Sequence, residues 1–154
     1  MSSAGLPSVI APGSSPVQPQ RQYVEDWFTY ELDQLSLAAG GVANNNIQIQ
    51  ADSDFKLTKI SGMADIAAAV QTASTLVIPL ITINIVDTGS GRTLMSNPVP
   101  WGAIVGTPGL PFILPVPRIF KQRSNISIAL TNYSAATTYN LHLALEGTKI
   151  FTLG

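Results

Sequence analysis

The sequence predicts an all-β fold: an antiparallel two-sheet sandwich of jelly-roll type, with about eight strands, behind an extended N-terminal arm. Three observations lead there. Apolar and polar residues alternate along several runs, most cleanly at Ile126, Ile128, Leu130 and again at Leu141, Leu143, Leu145. Clusters of Gly, Asn and Pro punctuate those runs. Only one short stretch, residues 64–75, has the composition of a helix. Antiparallel strands in this number, joined by long crossings, close as two packed sheets.

The elements follow in chain order. Residues 1–21 form one region, rich in Ser and Gly and holding four prolines at 7, 12, 16 and 19. Such a stretch buries too little apolar surface to offset its ordering entropy. It reads as a tail or as an arm ordered on a neighbour, with Leu6, Val9, Ile10 and Val17 as apolar pegs on an extended chain. Residues 22–154 form the β-sandwich domain. Its first run places Val24, Phe28, Tyr30 and Leu32 on one strand face, and the parity then changes at Leu35 and Leu37. That change predicts a bulge near Asp33 and Gln34. Gly40 and Gly41, and then Asn44, Asn45 and Asn46, read as turn residues. Alternation resumes over 47–51, and Phe55, Leu57 and Ile60 predict a strand with a second parity shift.

Residues 76–86, LVIPLITINIV, read as a strand covered on both faces in its first half, with Pro79 at an edge or bulge. Gly89 and Gly91 serve the turn before a short strand at 92–96. The crossing at 98–117 carries six prolines, which argue against a helix and against a central strand. Yet Trp101, Ile104 and Phe112 are too apolar for a solvated loop, so this segment packs on its own core or on a partner. Residues 125–147 read as a hairpin of two amphipathic strands around a small polar turn. Their milder faces carry Ser, Ala, Thr and Asn where exposed strands usually carry Lys or Glu.

Composition narrows the function. Charged residues make up 11% of the chain, less than half the usual share, so other subunits or neutral polar groups cover much of the surface. The net charge of −1 supplies no field for nucleic acid. The longest apolar run is too short for a membrane-spanning helix, and the N-terminus has no secretory signal pattern, so a soluble protein is expected. The triplets at Asn125 and Asn132 that match glycosylation sites are therefore read as coincidence. The absence of Cys removes disulfides and thiolate chemistry.

His142 is the sole histidine, so any catalytic triad or zinc site must use it, and zinc would have to draw its remaining ligands from carboxylates. The sequence sets no such group beside it, and no catalytic residue, metal or cofactor is expected. Asp52 and Asp54 read as solvated turn acids. Glu31 and Asp33 share a strand face with Trp27, a surface that suits a sugar, which keeps a carbohydrate-binding module or small hydrolase as an alternative. Arg118, Lys121 and Arg123 form the densest basic cluster, suited to a charged loop or to acidic groups on a partner.

Residues 110–151 carry a resemblance. An apolar, proline-containing segment leads to Arg118, Ile119, Phe120; a strand follows that ends in Thr131 and Asn132; a polar turn then leads to a last long strand closing with Gly147 and Lys149. This layout resembles jelly-roll virion proteins of tailed bacteriophages, in particular capsid cement (decoration) proteins, and it extends loosely over 22–153. The resemblance implies a structural protein, not an enzyme, made in the host cytoplasm. It would bind the exterior of an assembled capsid as a dimer or trimer and stabilise contacts between major capsid subunits. A head-fibre base or tail protein on the same fold is the neighbouring alternative.

Overall fold

The computed structural model describes residues 22–153. Leu6, Val9, Ile10 and Val17, and the arm they belong to, lie outside the described residues.

The described chain runs β1 (Gln22–Leu37), β2 (Val42–Gln48), β3 (Asp54–Ile66), a 3-10 turn (Ala73–Thr75), β4 (Ile81–Asp87), β5 (Arg92–Thr93), β6 (Val99–Pro100), a one-turn helix α1 (Trp101–Ile104), β7 (Phe112–Phe120), β8 (Asn125–Asn132) and β9 (Tyr139–Leu153). One sheet has the order β1-β9-β3-β7; the other has β2-β8-β4-β5, with β6 also on β4. Every strand pair is antiparallel. Successive strands repeatedly alternate between the sheets, and the result is the two-sheet jelly roll the sequence predicts. Nine strands stand where about eight were expected: β5 falls within the predicted short strand at 92–96, and β6 falls in the proline-rich crossing.

Period-two patterning fixes the core. Ile81, Ile83 and Ile85 from β4 and Ile126, Ile128 and Leu130 from β8 face Leu141, Leu143 and Leu145 from β9 across the sandwich, all essentially unexposed. The parity shifts are real bulges. In β1 the register slips between Gln34 and Leu37, where Ser36 takes a φ of 53°, slightly beyond the predicted position. In β3 it slips between Leu57 and Lys59. Each slip turns the next apolar side chain, Leu37 or Ile60, back into the core. Opposite the second slip lies Gly147, where a Cβ would sit 1.8 Å from the Lys56 carbonyl oxygen.

Several expectations are corrected. Residues 125–147 are not a hairpin: β8 pairs with β2 and β4, and β9 pairs with β1 and β3. Both strands have one apolar face, and opposing sheets bury both, whereas a hairpin in one sheet would rely on the second sheet for everything. Asn44, Asn45 and Asn46 lie in β2 rather than in a turn; Asn45 Nδ2 donates to Gln34 Oε1 at 3.1 Å. The turn itself uses Gly40, at a φ of 73°, and Gly41, whose N–H donates to Ala38 O at 2.8 Å, and both glycines exchange backbone bonds with Asn132. Residues 76–80 precede β4 instead of forming its first half, since Pro79 withholds a ladder donor; Leu76, Ile78 and Leu80 are exposed. The helix falls at 101–104, within the proline-rich crossing, where Pro100 precedes its first residue and supplies a compatible φ of −59°. The candidate helix at 64–75 is instead the end of β3, a loop and the 3-10 turn. Pro115 and Pro117 lie in β7, which is an edge strand, as the ladder requires.

Candidate interaction surfaces

The arch between β8 and β9 is built around Asn132, which is wholly buried. Its Nδ2 donates to the carbonyls of Leu37 at 2.9 Å and Thr137 at 2.8 Å, while its Oδ1 accepts from the Ser134 N–H at 2.9 Å. One side chain thus ties the end of β1 to the turn that carries the chain between sheets. Its burial also removes it as a glycosylation acceptor.

Around this end of the sandwich the surface is apolar. Strand β7 stops opposite Ile60, and two crossing segments take up the remaining edge of β3 through bridges at Ser61 to Gly106 and Asp65 to Leu76. Between them runs a groove of about 660 Å³, floored by Gly62 and Ala64 and walled by Leu76, Ile78, Trp101 and Leu110. Ile78 and Leu110 are about four-fifths exposed, and so is Val70 in the loop before the 3-10 turn. Side chains of this size standing in water form a patch of the kind that marks contact with another macromolecule.

The predicted contact residues separate into three places. Trp101 is corrected from surface candidate to core: only 4% exposed, it packs over Gly62, whose missing side chain makes room for the indole. Ile104, Phe112 and Arg118 come together along a second cleft, of about 630 Å³, on the open side of the sandwich between β5 and β7. Ile113, Val116 and Ile119 stand exposed on β7 beside it. Lys121 and Arg123 sit at the opposite end, in the β7–β8 turn. Arg123 is exposed, with a φ of 66°, and its N–H donates to Ile49 O at 3.0 Å.

Two of the three cations are engaged within the chain. Arg118 pairs with the buried Asp87 at 3.2 Å, and Lys121 pairs with Asp54 at 3.2 Å. Asp52 pairs instead with Lys149 at 3.1 Å. The Asp52 and Asp54 carboxylates, at the single connection from β2 to β3, are therefore not free turn acids, because each pairs with a different cation. Lys149 is only 6% exposed; its ammonium also donates to Gln50 Oε1 and lies 4.1 Å from the centroid of the Phe28 ring. The bond from Lys149 holds the Asp52 carboxyl below its ordinary range. At Asp87 burial pushes upward, but bonds from Ser90 and Arg118 outweigh it, and the net direction is down.

The outer face of the four-stranded sheet holds a third feature that sequence separation concealed. Register pairs Asp33 of β1 with His142 of β9, and His142 Nδ1 lies 2.7 Å from Asp33 Oδ1. Glu31 joins them, one donor atom from each lying within 4.8 Å of the others. Trp27, also on this face, is 73% exposed. Only strand register brings these residues together, and the signal available in the sequence was the shared parity of Glu31 and Asp33.

No known family model matches the chain, and no curated protein matches it as a relative. Among the described residues no helix is long and apolar enough to cross a membrane.

Proposed function

We propose that the chain is a structural virion protein that binds the exterior of an assembled bacteriophage capsid and stabilises contacts between major capsid subunits, acting by surface contact rather than catalysis. The observation that carries this reading is the apolar end of the sandwich, with Leu76, Ile78, Leu80 and Leu110 presented to solvent by a body whose own core is already complete. The low charge of the sequence and the resemblance of its C-terminal third support the same reading. Burying on the order of 400 Å² of apolar surface per copy contributes about 10 kcal/mol gross. Association costs about 4–15 kcal/mol, so a single copy binds marginally. A dimer or trimer that engages several sites gains through effective concentration, which favours an oligomer bridging subunits.

A head-fibre base or tail protein would use the same surface on another part of the particle. The carbohydrate reading draws less support: Trp27 and Glu31 are four strand residues apart, about 13 Å, which is wider than a single sugar ring.

The test is sedimentation of the purified chain with capsids stripped of outer proteins, compared with its Ile78→Asp, Leu110→Asp variant. The expected outcome is an oligomer that co-sediments with shells, and a variant that stays folded and binds at least tenfold more weakly. A strictly monomeric chain with no affinity for shells overturns the proposal.

A further inference from the structure

We propose that the outer face of the four-stranded sheet carries a divalent-cation site, with Glu31, Asp33 and His142 as its protein ligands. The three donor atoms already lie within 4.8 Å of one another. Ligands of one metal ion at about 2.0–2.2 Å are separated by roughly 3–4 Å, so small rotations of exposed side chains close the set. All three residues stand on strands of a single rigid sheet, which places them more firmly than a loop does.

A second observation comes from the other side of the imidazole. Asp65 of β3 is only 5% exposed, and its Oδ1 has no hydrogen-bond partner. It lines a cleft of about 370 Å³ that also includes His142, Gln71, Thr72 and Thr75. A buried carboxylate oxygen without a donor is costly unless a cation or an ordered water compensates it. Among the described residues, no Lys or Arg forms an ion pair with Glu31, Asp33 or Asp65, although five ion pairs occur elsewhere or at this histidine. The imidazole therefore stands beside two carboxylates, and shares a cleft with a third, that lack a Lys or Arg partner.

The donor set selects the ion. One imidazole nitrogen with carboxylate oxygens suits a borderline first-row divalent ion such as zinc, whereas magnesium and calcium prefer oxygen alone. Solvent or a group on a binding partner completes the coordination. The proposed ion gives Glu31 and Asp33 a reason to stand together without a lysine.

The test is isothermal titration of the full, tag-free chain with zinc chloride, with magnesium chloride present throughout as a non-competing ion. One zinc per chain is expected. His142→Ala should abolish binding, and Glu31→Gln should weaken it at least tenfold. Near-UV circular dichroism confirms that each variant is folded. Glu31 is exposed, so its variant tests the site even where removal of His142 disturbs the sheet. Absence of zinc binding, or binding unchanged by either His142→Ala or Glu31→Gln, overturns the proposal.

Discussion

At the end of the sandwich that carries the β2–β3, β4–β5 and β7–β8 turns, three aspartates each hold a cation: Asp52 with Lys149, Asp54 with Lys121 and Asp87 with Arg118. At the opposite end, where β1 passes to β2 and β8 passes to β9, the crossings carry Leu76, Ile78, Leu80 and Leu110 outward and are held to β3 by backbone bonds, while neutral amide and hydroxyl bonds around Asn132 tie the end of β1 to the β8–β9 arch. The first end closes its turns on themselves, with each of these three aspartates paired within the chain. The second is anchored internally and leaves aliphatic surface unused. The contrast shows how so lightly charged a protein distributes its polar groups: ion pairs lock the turns of one end, and the other exposes aliphatic side chains.

The sharpest way to break this comparison is at the neutral anchor. Asn132→Ala removes three hydrogen bonds and strands buried backbone groups at the apolar end. A loss of about 3 kcal/mol is expected in urea denaturation, since each unsatisfied buried group costs about 1–3 kcal/mol. A loss under about 1 kcal/mol would show that packing alone holds the arch.

A smaller effect is expected from acid at the charged end. Asp87 and Asp52 both have carboxyls held below the ordinary value in the folded chain. Their contribution is therefore fully present above the unfolded aspartate pKa of about 4 and is lost as pH falls through the folded values. Asp87→Asn should destabilise the chain by about 2 kcal/mol at neutral pH, because it weakens charge-assisted bonds to Ser90 and Arg118. That difference should shrink steadily below about pH 4. A gap between the two proteins that is constant with pH would remove the ionic account of this end.

The smallest effect tests whether the ion pairs act as stabilisers or as locks on conformation. Lys149→Met keeps the buried stem, removes the ammonium over the Phe28 ring and leaves Asp52, which is half exposed, to water. Only a small shift in the thermal denaturation midpoint is expected, because the carboxylate left behind is half exposed and water solvates it. A loss of several kcal/mol would make that pair a principal support of the fold.

Much of this architecture was legible in advance. Alternation at Ile81, Ile83, Ile85 and at Leu141, Leu143, Leu145 identified strands and their inner faces, because the pleat puts every second side chain on the same side. Parity changes at Leu37 and Ile60 located both bulges to within a few residues. Tertiary structure decided the rest. Period two cannot distinguish strands paired in one sheet from strands facing each other across two, which is why the C-terminal hairpin proved to be an arch. Hydrophobicity alone cannot tell whether Trp101 packs inward or outward; the space left by Gly62, forty residues earlier, draws the indole into the core. The group formed by Glu31, Asp33 and His142 spans 109 residues between Asp33 and His142 and exists only through the register of β1 on β9. Local patterning thus determined which residues form strands and which way they face. Which strand lies beside which was settled by burying all those faces together, a choice made by the whole chain rather than by any one segment.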